Sequence, residues 1–189
     1  RRDKATSNIC TAQALLAVMA SCYAVYHGPE GLQGIAQEIH RKTQRLHAGL
    51  NNAGYSIINS QFFDTLSIVV EKDKLSALKA RAEAHQINLF YKANEVRLSL
   101  DECTTEEELQ HLAKIFECNI PEQMPKQPDL PGRSDDILDH EVFHQYRSET
   151  AMMRYLKRLE NKDLSLMHSM IALGSCTMKL NAAIELQAV

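Results

Sequence analysis

The sequence predicts an α+β fold, in which a small antiparallel sheet carries helices on one face and a proline-linked helical segment follows. Apolar residues recur at three- and four-residue steps in several segments before residue 118, while shorter segments there are rich in β-branched and aromatic residues. Four of the five prolines then fall together, at positions 121, 125, 128 and 131. Spaced prolines favour extended chain and exclude helix, so they mark a boundary between two regions.

Composition places the chain among globular proteins and argues against some classes of function. Of 189 residues, 44% are apolar and 24% are charged, and the net charge of −3 lacks the basic excess of a nucleic-acid binder. No apolar run approaches the roughly 18–20 residues that span a bilayer. The chain begins Arg1-Arg2-Asp3-Lys4, without an initiator methionine or a signal peptide, and we expect it to be a piece of a longer protein.

Two helices are expected to open the chain. Residues 11–26 are rich in Ala, Leu and Met, and their thin polar side predicts a helix that is covered on more than one face. Gly28 ends this helix, and Pro29 suits the first turn of the next, whose apolar stripe runs through residue 48. Gly49 and the stretch Asn51-Asn52-Ala53-Gly54 are predicted to end that helix. The second helix has an apolar stripe opposite a face that we expect to be solvated, with Glu38, Arg41, Lys42 and Arg45.

A strand and a third helix follow. Residues 65–70 are short and rich in β-branched side chains, which is typical of a strand. Asp73 is predicted to cap a helix from about 74 to 85, because its carboxylate can accept from free backbone amides of the first turn.

A hairpin and a further helix complete the predicted domain. Residues 87–91 and 96–100 are expected to be strands that a short turn joins. Thr104 or Thr105 is predicted to begin the helix, and Glu107 or Glu108 to complete a capping box.

The proline cluster divides the chain into three parts. Residues 1–118 are expected to form the sheet-and-helix domain, residues 119–133 the linker, and residues 134–189 a second segment with a helix that starts at Ser148 or Glu149. The last 50 or so residues are too few to bury their own apolar side chains, so we expect them to dock on other protein surface.

Three small polar side chains, Thr6, Ser7 and Asn8, precede the first helix. Such residues commonly cap a helix by accepting hydrogen bonds from its free backbone amides. The same amides and the helix dipole also favour a phosphate or a carboxylate, so an anion site is the alternative. The residue pattern by itself favours capping.

A second candidate segment, residues 173–181, is dense in small hydrogen-bonding groups. Gly174 allows close approach of a ligand, and five polar or reactive side chains follow it. They are Ser175, Cys176, Thr177, Lys179 and Asn181. The pattern fits a polar turn or a ligand-binding loop.

Histidines add little to this segment. His168 is the one histidine near it, and Cys176 would need a neighbouring base to act as a nucleophile. His140 and His144 are four residues apart, but two histidines without a third ligand make a weak metal site.

Both ends of the chain resemble one family, the P-protein of the glycine cleavage system, which is glycine dehydrogenase (decarboxylating). Residues 2–17 resemble the late part of its first half, and residues 146–166 resemble the opening of its second half. The run at 168–182, His-Ser-Met-Ile-Ala-Leu-Gly-Ser-Cys-Thr-Met-Lys-Leu-Asn-Ala, is the most specific of the three. The resemblance covers the whole chain.

The resemblance implies a type I pyridoxal-phosphate (PLP) fold in two homologous halves. In this family PLP serves the loss of CO2 from glycine, and the aminomethyl group that remains passes to the lipoyl arm of H-protein. Residues 1–118 would be chiefly the small C-terminal domain of the first half, and residues from about 134 would begin the second.

The resemblance also implies roles for the two candidate segments. Backbone amides at 174–177, with the side chains of Ser175, Thr177 and Asn181, would hold phosphate or the glycine carboxylate. His168 is a weaker candidate, and residues 6–8 would approach the same pocket or the interface between the halves.

The chain departs from the family pattern at the cofactor lysine. That lysine lies in a His-x-x-x-His-Lys context, which this chain does not contain, so Lys179 is not expected to take its place. We therefore expect no covalently bound PLP, no metal and no activity from this chain alone. The family implies the cytoplasm of a bacterium or the mitochondrial matrix of a eukaryote.

Two other functions remain open. The α+β domain by itself would suit a non-catalytic module that binds a small molecule or pairs subunits, although such a module has no need of the segment at 173–181. A thiol enzyme that uses Cys176 ranks last. We also expect exposed apolar surface and self-association, because surfaces that pack on missing domains would be open.

Overall fold

The computed structural model describes residues 13–122 and 133–162. The chain forms two compact units, one of Glu30–Asp136 and one that joins Arg1–Pro29 with Ile137–Val189. Most of the predicted proline linker lies outside the described residues.

The first element, α1 (Gln13–Asn52), consists of two successive helices, as the sequence predicts. Gly28 interrupts it with non-helical angles of φ 63° and ψ −177°, and Pro29 follows, where its fixed φ suits a first helical turn. The second helix passes Gly49 and ends at Asn52, within the stretch 51–54 that was predicted to end it. Gly49 instead permits close packing, because a Cβ there would lie 2.8 Å from the carbonyl oxygen of Asn119.

Four antiparallel strands form a sheet in the order β1-β2-β4-β3. The strands β2 and β4 pair from Thr65 opposite Ser99 to Val69 opposite Glu95. The short β1 was not predicted, and the strand expected at 87–91 is displaced toward the hairpin turn. The bounds are β1 Ser56–Ile57, β2 Thr65–Val69, β3 Phe90–Lys92 and β4 Glu95–Ser99.

The displacement of β3 follows from the way α2 (Lys72–Ala84) ends. Gln86 takes a left-handed conformation at φ 57°. Its N–H donates to the carbonyl of Glu83 at 3.0 Å, and the N–H of Ile87 donates to the carbonyl of Ala82 at 2.9 Å. These are the two hydrogen bonds of a Schellman motif, so residues 86 and 87 close the helix and cannot yet join the sheet.

Of the two helix N-caps predicted in this unit, one is confirmed and one is wrong. At α3 (Glu106–Ile115) the capping box is confirmed, because the N–H of Glu108 donates to Thr105 Oγ1 and the N–H of Thr105 donates to Glu108 Oε2. The prediction for Asp73 is wrong. The N-cap of α2 is Glu71, which makes no side-chain capping bond, and Asp73 lies within the first turn.

One face of the sheet carries the core of the Glu30–Asp136 unit. Along β2 and β4, buried Leu66, Ile68, Val96 and Leu98 alternate with less buried residues, as expected for a half-covered sheet. The helices α1, α2 and α3 contribute to the same cluster, with Leu46, Leu50, Leu78, Ala82, Leu109, Leu112 and Ile115. The predicted small antiparallel sheet with helices on one face is therefore confirmed.

Two cations on α1 that were expected to be solvated are buried. Arg45 is 5% exposed and Lys42 is 9% exposed. The Arg45 guanidinium forms a bidentate ion pair with Glu106, at 2.9 Å and 2.6 Å, and its Nε donates to the carbonyl of Pro121 at 3.0 Å. Lys42 donates to the carbonyl of Thr104. The prediction that this face is solvated is therefore wrong at these two positions. Both charges can be buried because each one has oxygen partners within hydrogen-bond distance.

The same helix carries a more exposed ion pair. Arg41 donates from Nε and Nη2 to the two carboxylate oxygens of Glu38, both at 2.7 Å. This hydrogen-bonded guanidinium lowers the pKa of Glu38 to about 2. At the neighbouring pair, the Arg45 guanidinium likewise holds the pKa of Glu106 below its usual value.

The other unit contributes α4 (Val142–Gln145) and α5 (Glu149–Glu160). The predicted start of the helix near 148 is confirmed, since Ser148 is the N-cap of α5 and its hydroxyl accepts from the N–H of Ala151 at 3.3 Å. Met152 is the buried residue of this helix.

Candidate functional site

Every residue that the sequence predicts to contact substrate or cofactor lies outside the described residues. They are Thr6, Ser7, Asn8, His168, Gly174, Ser175, Cys176, Thr177, Lys179 and Asn181. The structure does describe the segments that adjoin the two motifs. The helix α1 begins at Gln13, shortly after the first motif, and α5 ends at Glu160, shortly before the second. Both adjoining segments belong to the same compact unit.

The helix that follows the first motif is apolar and open. Residues 5–29 contain no Asp, Glu, Lys or Arg. Leu15, Leu16, Val18 and Met19 are 66%, 68%, 56% and 58% exposed. The cover expected for this helix is therefore not supplied within the described residues, whereas the predicted exposed apolar surface is present there. Among the same residues, no helix is long and apolar enough to cross a membrane.

A close contact at Gly28 joins the end of this helix to the region around α4. A Cβ at position 28 would lie 2.5 Å from Arg147 Nη2 and 2.6 Å from the carbonyl oxygen of Phe143. Arg147 is held there by donating from Nε to that carbonyl at 3.2 Å, and its Nη2 lies 3.2 Å from Nδ1 of His144. Only glycine fits this position, because the contact and the positive φ both exclude a side chain.

Two tyrosines and an arginine form a cluster between residue 146 and the second half of α5. The rings of Tyr146 and Tyr155 stack at 4.3 Å with 17° between their planes. The Arg158 guanidinium lies over both rings, 5.2 Å and 5.4 Å from their centroids, and donates to the Tyr146 hydroxyl. Cation–π contact and the hydrogen bond together fix the direction in which α5 leaves residue 146.

Residues of this cluster were not singled out as site residues by sequence reasoning. Tyr155 and Arg158 are three apart on α5, which places them on neighbouring positions of one helical face, but Tyr146 lies outside that helix. The sequence spacing could therefore have suggested that Tyr155 and Arg158 are neighbours, but it gives no sign that Tyr146 joins them. The three side chains contact one another, so we interpret the cluster as a structural element of this segment rather than a reactive centre.

The other unit has a shallow cleft of about 250 Å³. Its lining includes Gly54, Tyr55, Val70, Lys74, Phe116 and Glu117. Lys74 pairs with Glu71 at 2.7 Å, Glu117 pairs with Arg81 at 3.3 Å, and burial raises the pKa of the Tyr55 hydroxyl. The charged groups that line this cleft therefore form ion pairs, and burial favours the neutral form of Tyr55. None of these groups is set up to act as a nucleophile or a general base.

No group of three or more His, Cys, Asp or Glu side chains in the described ranges could hold a metal ion. His140 and His144 have other roles there. Nδ1 of His140 accepts from the N–H of Val142 at 3.3 Å, and Nε2 of His144 lies 3.1 Å from the carbonyl oxygen of Leu138. Free cysteines in the described ranges are buried at Cys118, partly buried at Cys22 and exposed at Cys103.

Comparison with known proteins decides the family. The family model described as glycine cleavage system P-protein matches residues 1–116. The chain belongs to the P-protein family. Glycine dehydrogenase (decarboxylating) from Thermosynechococcus vestitus is 52% identical over 190 residues, which cover 98% of this chain and 20% of that protein. The proteins of the same name from Shewanella halifaxensis and Nostoc sp. are 51% and 50% identical, over 100% and 98% of the chain.

The chain spans about a fifth of the length of these P-protein relatives. Similarity extends over its whole length, including the segments at both ends that carried the resemblance in sequence. A solved structure described as a NIFS-like protein aligns with 54% of this chain and 30% of its own, at 24% identity and a TM-score of 0.38. That likeness is too distant to assign the fold, which rests on the sheet and helices described above.

Proposed function

We propose that this chain is the part of a glycine-decarboxylating P-protein that joins the end of its first half to the start of its second. The observation that carries the proposal is the 50% to 52% identity of 98% to 100% of the chain to glycine dehydrogenases (decarboxylating). In the intact protein, glycine loses CO2 and its aminomethyl group passes to the lipoyl arm of H-protein. PLP supplies the electron sink for this reaction.

In this proposal, the segment at 174–181 lines the substrate side of the pocket. Backbone N–H groups at 174–177, and the side chains of Ser175, Thr177 and Asn181, bind the phosphate of PLP or the carboxylate of glycine. Small residues and free amides suit both anions, since they allow close approach and donate hydrogen bonds. Thr6, Ser7 and Asn8 contribute from the start of the first helix.

The described structure supports an architectural role for the rest of the chain. Residues 1–118 are chiefly the small C-terminal domain of the first half, in keeping with the one-sided antiparallel sheet. The open apolar helix after residue 13 packs against other domains of the intact protein, because a helix that is apolar all round is normally buried. The chain alone then does not decarboxylate glycine, and it works in the cytoplasm of a bacterium or in the mitochondrial matrix of a eukaryote.

Steady-state kinetics of the intact P-protein with H-protein test the proposal. We expect glycine-dependent release of CO2, and Ser175→Ala to raise the KM for glycine at least tenfold. Ser76→Ala, on the exposed side of α2, is the matched control and should leave KM unchanged. An intact protein that releases no CO2 would contradict the function, whereas an active protein with unchanged kinetics after Ser175→Ala would contradict only the pocket assignment.

The chain by itself gives a second test. It would be titrated with PLP, followed by absorbance, reduced with borohydride and analysed by mass. We expect no stoichiometric adduct. A single reduced adduct on Lys179, together with an absorbance band that glycine bleaches before reduction, would show that this lysine takes the cofactor role, contrary to the proposal.

A further inference from the structure

The chain that leaves α3 packs back against the sheet-and-helix unit at residues 118–121, which we call the exit segment. Cys118 is 8% exposed, and its N–H donates to the carbonyl of Ala113 at 2.9 Å. Ile120 is partly buried and packs against the hydrophobic core. Residues 119–121 therefore lie against the unit, although the sequence predicts them to be the start of the linker.

Gly49 makes the first contact between α1 and the exit segment. A Cβ at position 49 would lie 2.8 Å from the carbonyl oxygen of Asn119 and 3.4 Å from the Cα of Ile120. Both are backbone atoms, so no side-chain rotation could relieve the overlap. Glycine is a poor residue inside a helix, but here it lets the exit segment approach more closely than any other residue would allow.

Arg45 makes the second contact, one helical turn before Gly49. Its side chain is nearly fully buried, and its Nε donates to the carbonyl of Pro121 at 3.0 Å. The other two guanidinium nitrogens bond to the carboxylate of Glu106, which fixes the orientation of the group. If the exit segment left, the Nε–H would lose its acceptor at a buried site, and a buried donor without a partner is costly.

The spacing of the two contacts agrees on both sides. Ile120 precedes a proline, which restricts it to extended backbone. Extended chain advances roughly 6.6 Å from residue 119 to residue 121, and a helix advances about 6 Å over the four residues from 49 back to 45. The exit segment therefore runs antiparallel to the end of α1, with both contacts in register.

We propose that Gly49 and Arg45 anchor the exit segment on α1, so that the linker begins after Pro121 rather than at residue 119. The anchor fixes the point from which the linker leaves the domain, and the antiparallel course along α1 fixes its direction there. All of these contacts lie within the Glu30–Asp136 unit, so the anchor does not depend on the proposed catalytic function.

Alkylation of Cys118 by iodoacetamide measures whether the exit segment is held in place. Cys118 is buried, and burial raises the pKa of its thiol, whereas Cys103 is exposed and serves as an internal reference. Peptide mass analysis gives the ratio of the Cys118 rate to the Cys103 rate in the folded chain. We expect Gly49→Ala to raise this ratio about tenfold or more, and Arg45→Gln about threefold or more, because each variant removes one contact and favours local opening.

Gly34→Ala is the matched control and should leave the ratio unchanged. It makes the same substitution in the same helix, and no atom lies within 4 Å of a Cβ placed there. If circular dichroism shows that Gly49→Ala does not fold, Arg45→Gln decides the test.

Urea distinguishes release of the exit segment from unfolding of the whole unit. Local opening exposes little surface, so the raised ratio should not depend on urea below the unfolding transition. The proposal would be overturned if a folded variant kept the ratio of the unmodified chain. It would also be overturned if the ratio rose with urea as steeply as global unfolding does.

Discussion

Arg147 occupies the space that a side chain at position 28 would need. Its Nη2 would lie 2.5 Å from a Cβ on Gly28, where φ is 63°. Gly28→Ala therefore combines a steric overlap with an unfavourable left-handed alanine, and we expect it to lower the free energy of unfolding by more than about 1 kcal/mol. Thermal unfolding followed by far-ultraviolet circular dichroism measures the change.

Gly34 provides the matched control for this substitution. It lies within the second helix of α1, and no atom is within 4 Å of a Cβ placed there. Gly34→Ala should stabilise the chain by about 0.5–1 kcal/mol, because alanine has the higher helix propensity. Equal effects of the two substitutions would contradict the role given to Arg147.

Replacement of Arg45 by methionine should destabilise the Glu30–Asp136 unit. The change removes three hydrogen bonds from a guanidinium that is 6% exposed. We expect a loss of about 2–3 kcal/mol in the free energy of unfolding, measured by urea denaturation. Arg133→Met is the control, because its ion pair with Asp135 is 66% exposed on both sides and should contribute less than about 0.5 kcal/mol. Similar losses in both variants would show that the burial of the Arg45 side chain has no special role.

Acid should lower the free energy of unfolding between pH 4.5 and 2, because Glu38 becomes protonated in this range. Its folded pKa of about 2 lies below the ordinary value of 4.5, so its contribution to stability is complete above pH 4.5 and is lost as the pH falls toward 2. The carboxylate is 45% exposed, so solvent screening makes the loss smaller than the shift alone implies. Unfolding free energies measured between pH 5 and 2 should decline less in Glu38→Gln than in the unmodified chain. An unchanged decline would assign the acid sensitivity to other carboxylates.

Glycine in place of Gln86 should stabilise the chain. Gln86 closes α2 at φ 57°, a conformation that glycine adopts without steric penalty. We expect Gln86→Gly to raise the free energy of unfolding by about 0.5–1 kcal/mol. Ala80→Gly, on an exposed position inside the same helix, should lower it by about 1 kcal/mol. Destabilisation by both substitutions would mean that the left-handed residue is not strained.

Most helices and strands of the Glu30–Asp136 unit follow from short-range patterns, and the errors have long-range causes. Periodicity and capping residues predict α3, because Thr105 and Glu108 are three residues apart. Burial of Arg45 was missed because its partners lie 61 and 76 residues further along the chain. The shortened β3 was missed because a left-handed glutamine gives no signal of the kind that glycine does.

For the candidate site too, local sequence patterns predicted one part and long-range contacts determine another. Its residues were identified from sequence motifs at both ends of the chain, and their roles remain predictions because they lie outside the described residues. What the structure adds are the contacts around Gly28 and Tyr146, in the segments that adjoin the motifs in sequence. The fit of Arg147 against Gly28 could not be predicted, since no local pattern links residues so far apart in sequence.

The strand order β1-β2-β4-β3 has a consequence for how fast the domain folds. The β3–β4 hairpin closes over two residues and can form within about 1–10 μs. By contrast, α2 and β3 lie between β2 and β4 in sequence. Pairing of these two strands therefore brings together residues as far as 34 apart, Thr65 and Ser99. Closing that longer loop loses more chain entropy, so the arrival of β2 should limit the rate of refolding. During synthesis, β2 would accordingly wait for β4 to emerge before most of its pairing with neighbouring strands can form.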